Sequence, residues 1–378
     1  MMVDDDDLLA RYAVLKGDVV EFALQPRFSR RFREFLAGSW VPDGVGDEIA
    51  IIDRFVQQYR WPDGRTVIDR FLAERPDIVG AEREHLLGWR DVVEGVFEID
   101  RHDRGGVCTC NLVDALGYRL LSNLGPVLFA EIPDGSFLSA RVVPLSTDRG
   151  TEWVLSGSMQ VYSPAERGAA LDMAVELALA RPDLVLRNPE LRDRAVEITA
   201  QAHRRFVEYF GADLVVLDVA AAIDHITDYL TPWAGDTGMA ATLATEYLAP
   251  LRGDIITVGL VSDELGGLAV LGDLGLAVAV FDDPVLARQP RYRQLLKGYL
   301  GDDAIGAFPL RRLAERDPVK ASTVFRTITG RPYFRWDIDG ETLLRTHKPD
   351  SFTGDPGMTV LNDTLATQLR ARTEPRIK

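Results

Sequence analysis

Cys108 and Cys110, with His102 close by, are the residues whose types most invite metal chemistry. Zinc sites of the paired kind separate their cysteines by roughly two to four residues and complete the set with a second pair. Here a single residue, Thr109, separates them, and no second Cys/His pair follows. Two residues apart in an extended run, the thiols share a face and cannot close an ordinary disulfide. Cys108, Cys110 and Leu112 are therefore expected on the core side of a strand, with no metal and no cofactor.

Other constellations have equally plain readings. His225 and Asp228 fall one helical turn apart, as an acid/base pair would, but a surface pair is the commoner arrangement. Glu82, Glu84 and His85 on a short helix read the same way. No His-Glu-x-x-His run and no Gly-x-Ser-x-Gly elbow occurs, and Ser156-Gly157-Ser158 lies inside a strand-like run. Gly235-Asp236-Thr237-Gly238 lacks the Lys-Ser/Thr of a phosphate loop and reads as a capped turn. Gly272-Asp273-Leu274-Gly275 lacks the full dinucleotide fingerprint. The pairs Asp263-Glu264, Asp282-Asp283 and Asp302-Asp303 sit where carboxylates cap free backbone amides. The basic, aromatic run Arg27-Phe28-Ser29-Arg30-Arg31-Phe32-Arg33 leaves Arg27, Arg30, Arg31 and Arg33 as the candidate interaction surface. The competing reading is a charged helix face answering the chain's own carboxylates.

The elements that would carry these residues divide the chain at 1–88, 89–163 and 164–378. The first part reads as helical: Phe22, Phe28, Phe32 and Phe35 recur at helical spacing, Pro26 divides their segment, and Asp47 is a plausible N-cap for a helix reaching Tyr59. In the second, Val92–Ile99, Val107–Leu112, Tyr118–Ser122, Phe137–Pro144 and Trp153–Tyr162 are five strand candidates. Turn signals separate them at Arg104-Gly105-Gly106, Asp114–Gly117, Pro133-Asp134-Gly135 and Asp148-Arg149-Gly150. Five strands in about seventy residues have the size of an SH3-like or OB-like barrel, with Phe97, Phe137 and Trp153 inward or against adjoining helices. In the third, helices are expected at Ala165–Ala180, Glu190–Phe210, Ala220–Leu230, Leu286–Leu300, Leu310–Glu315 and Val319–Ile328. Leu214–Leu217 reads as a strand, Asp254–Val261 with Leu268–Leu271 as a hairpin, and Arg335–Leu344 as a second hairpin around Asp339-Gly340. The tail beyond Pro349 is expected to be peripheral. The fold class is thus α+β: an N-terminal helical region, a central small five-stranded antiparallel barrel and a C-terminal α+β domain.

Gly88-Trp89, Val92–Ile99, Leu112–Asp114, the run Ser136–Arg141 and Leu155-Ser156-Gly157 together resemble the β-rich segment of a poorly characterised bacterial protein family. Several relatives of that family carry a SEC-C zinc motif. The likeness covers about a fifth of the chain. The SEC-C motif begins Cys-x-Cys-Gly-Ser and ends in a Cys-His pair, whereas Asn111 and Leu112 follow Cys110 and the later pair is missing. The resemblance implies a fold element without zinc.

A length of 378 residues implies more than one core, and a hydrophobic fraction of 46% with 27% charged residues is ordinary for a globular protein. The net charge of −15 opposes a polyanionic partner, and between Trp89 and Tyr162 six arginines face ten carboxylates. The longest apolar run, Leu276–Phe281, is far short of the about 20 residues a membrane span needs. The start, Met1–Asp7, is acidic where a signal peptide is basic, so a cytoplasmic location is expected. These features lead to a non-enzymatic intracellular binding or adaptor protein whose partner is a protein. The alternative is a hydrolase with a dispersed Asp/Glu–His site, and a second alternative is a nucleic-acid-binding small barrel. Oligomeric state is left open.

Overall fold

In the computed structural model, residues 5–38, 48–61, 63–103, 105–147, 150–251 and 255–373 are described. The expected cap Asp47, the turn residues Pro62, Arg104, Asp148 and Arg149, the strand start Asp254 and the first acidic residue Asp4 lie outside them. The chain forms two compact units: Met1–Leu191 together with Leu361–Lys378, and Arg192–Val360. The second is an insertion in the first, whereas composition and periodicity along the sequence predict boundaries at 88/89 and 163/164.

The N-terminal unit opens with five helices: α1 (Asp5–Ala23), α2 (Ser29–Gly38), α3 (Glu48–Gln58), α4 (Val67–Glu74) and α5 (Gly80–Gly88). Pro26 breaks the first segment as expected, with a single 3-10 turn at Pro26–Phe28. Thr66 starts α4 through a reciprocal box, its hydroxyl accepting from Asp69 N while the Asp69 carboxylate accepts from Thr66 N. Phe22, Phe28, Phe55 and Phe71 fill one core with Trp89, and Phe32 and Phe35 pack on it at the side.

Six strands follow: β1 (Val93–Asp103), β2 (Gly106–Asn111), β3 (Gly117–Leu121), β4 (Phe137–Thr147), β5 (Gly150–Leu155) and β6 (Gln160–Tyr162). Their order is β1-β2-β3-β5-β4-β6, and β1 pairs β4 as well, so the first five pair in a ring. The expectation of five antiparallel strands is corrected twice. β3 and β5 run parallel, through Leu120↔Trp153 and Leu121↔Val154. Parity requires such a pair, because an odd ring cannot alternate direction at every step. The fifth expected strand, Trp153–Tyr162, is also two. Gly157 adopts φ +86 between them, and β5 and β6 lie end to end along one edge of the long β4.

Alternation along the strands sends Val93, Phe97, Tyr118, Leu120, Leu138 and Val142 into one cluster inside the ring. Val143, Leu145 and Val154, of opposite phase, join the core under α1–α5. Val96 and Phe137 pack instead with α6 (Arg167–Ala180) and α7 (Pro182–Val185). Gly95 cannot be another residue, since a Cβ there would lie 2.3 Å from Asn111 Oδ1.

The inserted unit begins along α8 (Pro189–Phe210) and continues with β7 (Leu214–Asp218), α9 (Val219–Ala234), α10 (Thr237–Leu248), β8 (Thr257–Asp263) and β9 (Gly267–Gly272). The three strands form an antiparallel sheet, β7-β8-β9. Five helices complete the unit: α11 (Leu274–Asp282), α12 (Pro290–Gly301), α13 (Phe308–Arg316), α14 (Pro318–Thr329) and α15 (Trp336–His347). On β8, Val258 and Leu260 face the core shared with α8–α10, while Val261 faces that of α11–α15.

The hairpin expected around Asp339-Gly340 is the helix α15. Its first turn carries Asp337 and Asp339 and its last Arg345, charges that oppose the helix dipole favourably. Gly340 is no turn residue: a Cβ would come within 2.8 Å of the Trp336 ring one turn earlier. After the insertion the chain returns to the N-terminal unit as α16 (Asp363–Thr373), where Leu365 is fully buried against the α6 cluster. The tail is therefore part of a core and not peripheral.

Candidate functional site

Three of the four arginines of the expected interaction surface, Arg27, Arg30 and Arg31, are answered by nearby carboxylates. Arg27 makes a two-pronged pair with Glu74, at 2.8 and 2.9 Å, and its guanidinium lies over Phe22 and Phe28. Arg30 and Arg31 both reach Glu34, each at 2.8 Å. Arg33 donates from Nε to the Ser29 carbonyl at 3.3 Å.

The thiols sit in the opposite phase to that expected. Val107, Thr109 and Asn111 are buried in β2, and Cys108 and Cys110 are half-buried on its other side. Burial raises both thiol pKa values, Cys108 also lying against the Asp103 carboxylate, which opposes thiolate formation. His102 points away, with Nδ1 2.8 Å from Asp134 and Nε2 3.1 Å from the Phe129 carbonyl. Among the described residues no group of three or more His, Cys, Asp or Glu could hold a metal ion.

His225 and Asp228 are both exposed on α9. Glu82 pairs with Arg11 at 2.6 Å, and burial lowers the pKa of His85. Asp236 caps α10 through Met239 N, while Asp263, Asp283 and Asp302 accept from backbone amides two or three residues on. A serine–histidine contact that sequence reasoning missed joins His203 Nδ1 to Ser262 Oγ at 3.1 Å. Ser262 is only 3% exposed within β8, which leaves a substrate carbonyl no approach to its oxygen.

In the N-terminal unit the kink at Ser156-Gly157 builds a buried polar cluster that the sequence does not advertise. Ser156 Oγ donates to Asp53 Oδ2 at 2.8 Å and accepts from Gln57 Nε2 at 2.8 Å and Lys16 Nζ at 3.2 Å. Both hydroxyl lone pairs are thereby engaged, so Ser156 is held as a linker between α1, α3 and the ring rather than poised as a nucleophile. Lys16 also pairs with Asp53, which is 2% exposed, at 3.0 Å. Gly157 is needed here, since a Cβ would meet Asp53 Oδ2 at 2.8 Å. Beside it, Glu94 of β1 and Arg141 of β4 are direct cross-strand partners, bonded at 3.0 Å, and Arg54 of α3 pairs with the same carboxylate.

A cleft of ≈ 790 Å³ opens in the inserted unit. Leu243, Tyr247 and Leu251, from α10 and the turn after it, line one side, and Leu295 and Ile305 line the other. Its floor is β9, where every residue from Leu268 to Gly272 contributes. Side chains of a strand alternate between faces, so five consecutive lining residues mean that the strand presents its edge. β9 pairs only with β8, and among the described residues no strand occupies its other side. Glu246, Asp273 and Asp302 stand at the rim. Asp273 holds a left-handed backbone conformation, φ +58, braced by its carboxylate accepting from Ile256 N at 2.7 Å. Comparison of the chain with protein-family models, with curated proteins and with solved structures found no match.

Proposed function

We propose that this is a non-enzymatic binding or adaptor protein that takes an extended segment of a partner protein along the edge of β9. The reading is carried by the five consecutive β9 residues that floor the cleft. An unpaired strand edge offers alternating amide donors and carbonyl acceptors, and an added strand satisfies them while its side chains enter flanking pockets. The apolar flanks supply those pockets. The rim carboxylates Glu246, Asp273 and Asp302 favour a Lys or Arg in the incoming segment. A six-residue strand matches a segment of similar length.

The ring of the N-terminal unit is, in this reading, a closed small barrel of OB type filled by its own side chains, and a scaffold rather than a nucleic-acid platform. Arg119 on β3 is paired with Asp103 at 2.7 Å and Glu152 at 2.6 Å, which leaves little charge for a phosphate backbone. No helix among the described residues is long and apolar enough to cross a membrane.

The test is selection of a random peptide library on the full chain. Peptides alternating apolar residues around a Lys or Arg are expected, with Kd on the order of micromolar. Ala269 and Val270 are successive, so one of them points its N–H outward; proline there is tolerated by the fold and should abolish binding. Glu246→Lys should weaken it about tenfold. Selected peptides that bind both proline variants as tightly as the parent protein would sink the edge-strand reading.

A further inference from the structure

The hydrogen-bond phase of β9 fixes which of its groups the edge offers. Asp273 N donates to the Thr257 carbonyl at 2.7 Å. Bonded pairs of an antiparallel ladder recur at every second residue, so Leu271, Ala269 and Gly267 bond to β8. Leu268, Val270 and Gly272 therefore turn their N–H and C=O groups to the other side. The Gly272 carbonyl is already engaged there. The hydroxyl of the buried Tyr299, in the last turn of α12, donates to it at 2.6 Å. An added strand thus finds open carbonyls at Leu268 and Val270 and a bonded one at Gly272, where its ladder stops.

Negative charge gathers at that end of the strand. Asp273 follows Gly272 directly; its Oδ1 accepts from Ile256 N, while its Oδ2 has Arg291 at 3.8 Å. The C-termini of two helices also meet there. α12 arrives with Tyr299 and is followed by Asp302, which lines the cleft. α10 ends at Leu248, and Leu251 just beyond it has its Cδ2 3.8 Å from where a Gly272 Cβ would lie. Neither helix carries a basic residue in its last turn to answer the negative end of its dipole. Lys348 donates to the Asp302 main-chain carbonyl, but no Lys or Arg is among the described residues lining the cleft.

From the ladder that stops at Gly272 and the carboxylates and helix ends beyond it, we infer that the cleft takes the free N-terminus of a partner chain. The segment lies antiparallel to β9, with its α-ammonium group at Asp273 and Asp302. This rests on the edge-strand reading proposed above and adds the segment's direction and its end. An antiparallel strand brings its N-terminus to the C-terminal end of β9, whereas a parallel one would bring a carboxylate or an uncharged main chain to a negative site. Asp273 continues the line of the strand, so it meets the end of a main chain. Side chains of the added strand stand across the sheet, which leaves Glu246 on the α10 side for a Lys or Arg.

The experiment compares two forms of one synthetic library of short random peptides, amidated at the C-terminus, on the full chain. One form has a free α-amine and the other is N-acetylated. Free-amine peptides are expected to bind about tenfold more tightly than their acetylated counterparts, the loss of a charge-assisted contact. The α-amine titrates near about 8, so raising the pH from about 7 to about 9 should weaken the free-amine form about tenfold and leave the acetylated form unchanged. Asp302→Asn keeps the acceptor for Ala304 N and should narrow the difference between the two forms. Acetylated peptides that bind as tightly as free ones, yet are lost in Val270→Pro, leave the edge-strand reading standing and overturn this inference. Binding that survives Val270→Pro, or no binding by either form, overturns both.

Discussion

At the scale of single residues, hydrogen-bond partners decide which groups matter for stability. Both ring nitrogens of His102 face acceptors, and the Phe129 carbonyl, then Asp134, raise its pKa above the ordinary value. A raised folded-state pKa means that the folded protein holds the proton more tightly than the unfolded chain. The stability it contributes is complete below the unfolded value near about 6.5 and is lost as pH rises through the folded one. The group is partly exposed, so solvent screening limits the effect to about 0.5 kcal/mol. His102→Gln should cost that amount at about pH 5.5 and almost nothing at about pH 8.5; equal losses in urea titrations at both pH values would contradict the assignment. The Thr66–Asp69 box predicts a loss of about 1 kcal/mol for Thr66→Ala, read from the same titrations.

At the scale of elements, α15 shows how packing overrules a local signal. Asp339-Gly340 has the composition of a turn, yet Gly340 is used because the Trp336 ring lies over it and stacks on Phe325 at 4.9 Å. Replacing a mid-helix glycine by alanine ordinarily stabilises by roughly 0.5–1 kcal/mol. Here Gly340→Ala should destabilise, by about 1–3 kcal/mol, because the buried ring cannot yield. The sign, measured by thermal or urea unfolding, separates the packed helix from an open one. The Cys-Thr-Cys run makes a similar point for strands. Periodicity identified β2 but not which of its faces is buried, since Val107, Thr109 and Asn111 alternate as regularly as the residues between them.

For the whole molecule, the decisive feature is that the chain leaves the N-terminal unit at Leu191 and returns to it at Leu361. The returning helix α16 completes the core on α6, and Gln368 reaches Asp172 at 2.9 Å. Leu365→Ala should therefore cost about 2–5 kcal/mol, a value for core positions. Amide exchange within residues 167–180 should rise with it. Unchanged protection of α6 would mean that the last helix adds nothing to that core.

The sequence by itself determined most of the helices, the existence of the strands and several caps. Those signals are local: a period of 3.6 or 2, a proline at a break, a Thr or Asp before the first turn. It also determined the α+β class and the acidic balance. The tertiary structure alone decided how the ring closes, that its odd number forces β3 against β5 in parallel, and that β9 has, among the described residues, no strand on its second edge beside the cleft. It alone brought together Arg54, Glu94 and Arg141, which are far apart in the chain. A lone arginine at position 141 among Leu138, Ala140, Val142 and Val143 was the one trace of that cluster in the sequence. Strand pairing and charge clustering depend on which distant segments meet, and a single sequence carries no local periodicity for that choice.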